Sequence, residues 1–326
     1  MYYTVTVKER LQIGWRRGVA IVGILGTLAC VVLFILHPSW PTPDRLLLVL
    51  TFLFMIFNQA LRMLRRLLPY VIVLLVYELF RSLIPHINGH VHYALMPMFD
   101  QKMFGGQLPT SILQSWWWHG RLNWYDFMFY QVYMLYFTLP TLLVLLVWKL
   151  RPDHYWRVVN TFLGVAFAAF ITYALYPAAP PWIASNANLI PHIERTSSLA
   201  YQAMNIQNTP SAYNVIPPNL VAAVPSLHAI WATLFAIFVW RLFGKRWGLL
   251  ASLYPILTYV GTVYMGEHYA FDEILGIVYA AVAYATVYSF SFAQKPWPRP
   301  SVIMQTLRGN WQKPEPLADE EADQAV

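Results

Sequence analysis

Two histidines forty positions apart, His228 and His268, are the residues of this chain best placed to do chemistry. Each stands near the start of an apolar stretch. "PSLH" (Pro225–His228) opens one and "GEHYAFDEILG" (Gly266–Gly276) opens the other. His268 and Asp272 are four residues apart, so on a helix they share a face and can hydrogen-bond. A carboxylate on one ring nitrogen fixes the tautomer and leaves the other nitrogen free to attack, which is what covalent catalysis asks of a nucleophile. His228, titrating near neutral pH, then suits protonation of a departing alkoxide. Pro225 is expected in a first helical turn, where its missing N–H has no partner to lose. Free N–H groups at two helix starts would cradle an anion. The expectation is proton handling beside a phosphate.

The elements that must position these groups are membrane helices. Of 326 residues, 58% are apolar and 11% charged, far below the about 25% charged residues of a soluble domain. The net charge of +7 comes from short basic clusters between apolar runs, a pattern of membrane topology rather than of nucleic-acid binding. The single cysteine, Cys30, excludes an intrachain disulfide.

A crossing helix needs about 20 apolar residues. Strong candidates are Val19–Leu36, Phe127–Trp148, Val158–Tyr176, Leu220–Trp240, Trp247–Met265 and Glu273–Phe292; weaker ones are Leu46–Leu61 and Leu67–Phe80. The first is expected to stay uncleaved, since Gly18 to Pro43 is too long for a signal h-region and no A-x-A site follows. The basic connections after Pro140 hold ten Lys and Arg, against four in the alternating ones. The positive-inside bias therefore puts the basic set, and the N-terminal Lys8, Arg10, Arg16 and Arg17, in the cytoplasm. Eight helices with both termini inside satisfy this. The fold expected is an all-α polytopic membrane helix bundle. Residues 1–66 hold two extra helices, 67–293 a six-helix catalytic domain, and 294–326 a disordered cytoplasmic tail. Two long outer loops, 82–126 and 177–225, are expected to serve function. No internal repeat, Gly-rich phosphate loop or CxxC pair is evident.

"PSLH" followed by "HYAFD" resembles the second and third signature motifs of the type 2 phosphatidic acid phosphatase superfamily. "YPAAPPW" (Tyr176–Trp182) resembles the xPxAPPW stretch of the branch that includes inositol phosphorylceramide synthase. The similarity spans roughly Tyr77 to Phe290. The resemblance implies metal-free phosphoryl transfer through a phosphohistidine. His268 would carry the phosphoryl group, Asp272 would orient it, His228 would protonate the leaving group, and Ser226 would help bind phosphate oxygens. Two features depart from the superfamily pattern. Thr262 stands where the third motif usually has an arginine, and the first motif, KxxxxxxRP, has no match. Arg81 is the leading candidate to meet the phosphate charge, with Lys102 and Arg121 behind it, because an arginine fork suits phosphate. Interfacial snorkelling is the competing role for Arg81.

Other signals are weaker. "HINGHVH" puts His86, His90 and His92 in one loop with Asp100 and His119 nearby, but mixed spacing is poor evidence for zinc, so no metal and no cofactor are expected. "FGGQLPT" (Phe104–Thr110) reads as a turn and "SWWWHG" (Ser115–Gly120) as an interfacial aromatic belt. The prolines make "YPAAPPW" rigid and extended. Tyr176, Pro180, Pro181 and Trp182, with Tyr264, are expected to wall the pocket.

The activity expected is a lipid phosphotransferase at the outer face of the plasma membrane, an enzyme passing a phosphate-bearing group from a phospholipid donor to a lipid or polyol alcohol acceptor. Its partners would be membrane lipids and the bilayer, with no nucleic acid. The alternatives are a lipid phosphate phosphatase using water as acceptor and, from another class, a lipid transporter or flippase.

Overall fold

Each of the eight apolar stretches expected to cross the membrane contains helix, but not all as one unbroken element: Leu46–Leu61 is interrupted at residues 57–59. A computed structural model describes residues 7–38, 42–204 and 215–289, with side chains from Gln12 onward. The tail 294–326, and the end of the last expected span beyond residue 289, lie outside the described residues. The N-terminal helices are α1 (Val7–Leu36), α2 (Pro43–Ile56) and α3 (Ala60–Ser82). Short helices α4 (Ile84–Ile87), α5 (Leu95–Met103) and α6 (Pro109–Trp117) follow, then the long α7 (Trp124–Leu150) and α8 (Tyr155–Leu175). Two more short helices, α9 (Pro181–Asn186) and α10 (Thr196–Ala203), precede α11 (Leu227–Phe243). The chain continues through α12 (Lys245–Ala251) and α13 (Leu253–Tyr264) to α14 (Ala270–Ala283), which runs on as a π-helical turn to Tyr288. The protein is an all-α polytopic membrane bundle.

Five described helices are long and apolar enough to cross a membrane: Gln12–Leu36, Ala60–Ile87, Trp124–Leu150, Pro152–Leu175 and Ala270–Tyr288. At 14 and 17 residues, α2 and α11 are shorter than the usual span. The expected span Trp247–Met265 is broken at Ser252 into α12 and α13. Pro255 explains the break: it has no N–H to give the Ala251 carbonyl one turn back, so the regular ladder cannot run through. The expected start at Leu220 is also corrected. Residues 220–226 are not helical, and α11 begins at Leu227.

The core lies among α3, α7, α8 and α11. Tyr70 and Tyr77 of α3, Phe162 and Tyr173 of α8, and Trp231 and Phe238 of α11 are fully buried there. By contrast α1 is almost wholly exposed along its apolar length. It meets α2 where Gly23 and Gly26 lie so near Phe52 that a Cβ at either would fall under 3 Å from it, leaving its other faces to lipid.

The described residues of the two long loops, 82–126 and 177–225, hold five short helices and are stitched together through Ala178, which pairs with both His92 and Ala222. His92 N–H bonds the Pro177 carbonyl at 2.8 Å and Ala178 N–H bonds the Val221 carbonyl at 2.8 Å. The "YPAAPPW" stretch is extended through Pro180, but Pro181 and Trp182 begin α9, since proline is well suited to a first helical position.

Helix α14 packs onto the first turn of α11, and Gly276 makes this possible. A Cβ there would lie 2.7 Å from the Ala229 Cβ and 2.8 Å from the Ser226 carbonyl oxygen, neither of which can swing away. Gly276→Ala should push the two helices apart and cost about 1–3 kcal/mol by overpacking. The measurements are the detergent-solubilised melting temperature and the turnover; a variant matching wild type in both would refute this account of the packing.

Candidate active site

The start of α11 is built by Ser226. Its hydroxyl caps the helix by accepting from Ala229 N–H at 3.2 Å, the usual work of an N-cap serine, and its own N–H donates to the Asp272 carbonyl at 3.1 Å. Pro225 therefore precedes the cap rather than entering the first turn, and its carbonyl accepts from the Tyr173 hydroxyl at 2.6 Å. Ser226 is fully buried and its hydroxyl is occupied as a cap, so it fixes the α11 start rather than standing open to a ligand.

These contacts bring the two histidines together. His228 Nδ1 lies 3.3 Å from His268 Nε2, and His268 Nδ1 lies 3.5 Å from Asp272 Oδ2. His268 is not on the helix, as expected, but two residues ahead of α14, and Asp272 is its third residue. The Asp272 carboxylate is itself pinned by Tyr269 N–H at 2.9 Å. With His268 Nδ1–H turned toward Asp272, the Nε2 lone pair would face His228, and a proton on His228 Nδ1 would lie between the rings. Burial pushes the His268 imidazolium down, but its bond to Asp272 and the charges of Glu273, Asp272 and Glu267 outweigh that and hold its pKa above the ordinary value.

Two tyrosines absent from the expected site frame His228. Tyr133 stacks on its ring at 4.2 Å and Tyr136 lies at 4.4 Å. Their three-residue spacing puts them on one face of α7, a signal present in the sequence but hidden among many aromatics.

The anion cradle expected at the two helix starts is corrected for α14. Its first amides are already taken by Asp100 of α5, which is fully buried and accepts from Ala270 N–H and Phe271 N–H, each at 2.9 Å. Burial and the Asp272 charge push the Asp100 pKa up to about 6 although both amides pull it down. Nothing near α5 in the sequence marks Asp100 as a cap for a helix 170 residues away. At α11, by contrast, the N–H groups of Leu227 and His228 have no protein acceptor among the described residues.

The Thr262 hydroxyl lies 2.8 Å from Glu273 Oε1 and 2.7 Å from the Thr258 carbonyl, putting a buried carboxylate near His268. Of the three basic candidates, Arg81 packs inward. Its Nε and Nη2 both donate to Glu78 Oε2, at 2.9 and 2.6 Å, and its charge is felt at His228. Lys102 and Arg121 are exposed on the outer loop.

The expected pocket wall divides. Tyr176 stacks face to face on His92 at 3.8 Å, while Pro180 and Pro181 are buried and Trp182 is half-buried beside the turn that precedes α14, its backbone N–H on the Gly266 carbonyl at 3.2 Å. Tyr264 lies beneath that turn instead of lining open space: it is fully buried, donates to Asp126 Oδ1 at 2.6 Å and packs against Trp117 and Phe129. Among the described residues no group of His, Cys, Asp and Glu is arranged to hold a metal.

Residues 105–286, which contain His228, His268, Asp272 and the tyrosines around them but not Glu78, Arg81, His92, Asp100 or Lys102, match the family model of the PAP2 superfamily. A curated relative, the phosphoinositol dihydroceramide synthase of Bacteroides thetaiotaomicron, is 33% identical over 154 residues. That match covers 44% of this chain and 50% of the relative, so the chain spans about half the relative's length. No solved structure matches the chain.

Asp100→Ala should leave the first amides of α14 buried without an acceptor, costing about 1–3 kcal/mol. A lowered melting temperature with turnover depressed at every substrate concentration is the expected result; an unchanged melting temperature would show that water or another group replaces the carboxylate.

Proposed function

The chain belongs to the PAP2 superfamily, and on that premise we propose that it is an integral-membrane lipid phosphotransferase working through a phosphohistidine. The observation that carries the reading is the line Asp272–His268–His228, with separations of 3.5 and 3.3 Å. In the first half-reaction His268 Nε2 attacks the donor phosphorus and forms an N–P bond. The bond from phosphorus to the leaving oxygen breaks, and that oxygen takes the Nδ1 proton of a His228 imidazolium, the form that the incoming phosphate charge favours, leaving His228 neutral with its remaining proton on Nε2. In the second half-reaction an acceptor hydroxyl gives its proton back to His228 and attacks phosphorus, and the N–P bond breaks. Asp272 stays ionised throughout, orienting His268 and offsetting its charge as it becomes a phosphorylated imidazolium. The substrate phosphate must enter between the two rings, replacing their mutual contact.

The name of the curated relative supports a synthase that hands a phosphate-bearing headgroup to a lipid alcohol. A donor phospholipid would then leave a phosphodiester on His268. His268 is buried, and His228 is half-buried under Tyr133 and Tyr136; this restricts the access of bulk water to the adduct, which favours an alcohol acceptor over hydrolysis. The bias of Lys and Arg toward the alternate connections supports a site at the extracytoplasmic face of the plasma membrane, with cytoplasmic termini.

His268→Ala should abolish turnover of lipid phosphate esters and His228→Ala should lower it by about 10²–10⁴-fold; full activity in either would sink the mechanism. Assays with phospholipid donors, with and without sphingoid, diacylglycerol or polyol acceptors, should give acceptor-dependent product, whereas acceptor-independent release of phosphate would identify a hydrolase. Asp272→Asn supplies a pH test. Protonated His268 cannot attack, so the rate rises as pH passes upward through its pKa. Removing the carboxylate that raises this pKa should move the acidic limb to lower pH while the maximum rate falls.

A further inference from the structure

Phosphate charge needs a cation near His268, yet Thr262 occupies the usual arginine position and Arg81 directs two N–H groups at Glu78. Another cation, Arg195, is fixed to the residue just before the nucleophile. Its Nε donates to Glu267 Oε1 at 2.8 Å, and its Nη2 lies 3.4 Å from Oε2. The guanidinium lies 4.0 Å over the ring of Trp182, a stacked and paired setting that holds the planar fork in one orientation.

The backbone around it is strapped to the same turn. Gln114 Nε2 donates to the carbonyls of Glu194 and Tyr264 at 2.7 and 2.8 Å, and Glu194 N–H returns to Gln114 Oε1 at 3.0 Å. Gly266 sits at φ +75°, and a Cβ there would lie 2.9 Å from Ile193. Residues 193–195, Trp182 and the turn 264–268 thus move together. Arg195 also retains binding capacity. Its Nη1 has no protein partner among the described residues, and 36% of the side chain is exposed. It lies within electrostatic reach of Tyr133, the ring stacked on His228.

We propose that Arg195 receives the negative charge of the substrate phosphate beside His268, in place of the arginine that Thr262 replaces. The inference deepens the phosphohistidine reading and rests on it. Glu267, also bonded by the Ser197 hydroxyl, keeps the guanidinium neutralised and aimed when no phosphate is bound. The ligand chemistry is a phosphate oxyanion, carried by a lipid ester or free in solution.

Arg195→Ala and Arg195→Lys are to be compared with wild type and His268→Ala. With a lipid phosphate ester, Arg195→Ala should lose about 10²–10³-fold in kcat/KM, the usual effect of deleting one charge-stabilising donor. Lysine should restore only part of this, since an ammonium cannot present the fork. Inhibition by inorganic phosphate should weaken in parallel if the site also takes free phosphate, and stay unchanged if it takes only esters. Guanidinium added to Arg195→Ala should return activity, which a purely structural role would not allow. A folded Arg195→Ala with wild-type kcat/KM overturns the proposal, as does a loss that guanidinium does not relieve. If alanine prevents folding, Arg195→Lys decides: wild-type kcat/KM overturns the proposal, and a loss at unchanged melting temperature supports it. An active wild type with an inert His268→Ala leaves the phosphohistidine reading standing even if Arg195 fails; an inert wild type removes both.

Discussion

Gly276 lets the backbone of α14 press against Ser226 and Ala229, and the Ser226 N–H to Asp272 carbonyl bond locks that approach. Everything at the site inherits its geometry from this crossing. His228 is on the second residue of one helix and His268 just ahead of the other, so a displacement of either terminus by an ångström separates the imidazoles. Reactions that depend on positioned groups are steeply sensitive to such shifts. The close contact is available only because one residue has no side chain.

The site then concentrates carboxylates where a membrane protein can least readily carry them. Asp100, Asp272 and Glu273 are all buried around the start of α14. Each has a stated partner: Asp100 two helix amides, Asp272 an amide and an imidazole, Glu273 the Thr262 hydroxyl. Buried charge without such partners would be strongly unfavourable. The outer loops supply the rest of the support: Asp100, Gln114, Trp182 and Arg195 all come from segments between long helices. Loops of this length in a compact bundle hold the working parts in position.

The helix bundle and the meeting of the two histidines with Asp272 were legible because their signals are local. Apolar runs of membrane length announce themselves, and PSxH with HxxxD keeps its chemistry within four residues. The break at Ser252 was legible in principle through Pro255. Asp100 was not, since its partners lie 170 residues away, and neither was the stacking of Tyr133 and Tyr136 on His228, which required knowing which face of α7 turns toward α11. Arg195 looked like an ordinary loop cation until Trp182 and Glu267 gathered around it.

The chain's own chemistry determined a helical membrane bundle, because apolar runs of membrane length satisfy their backbone groups within one segment, and the pairing of His268 with Asp272, because they are sequence neighbours. Tertiary structure alone decided which helix-start amides stay without a protein acceptor and which side chains pack around Glu267 and His268. Those outcomes depend on side chains tens to hundreds of residues apart competing for the same partners, and such competition is settled only when the helices and loops have packed.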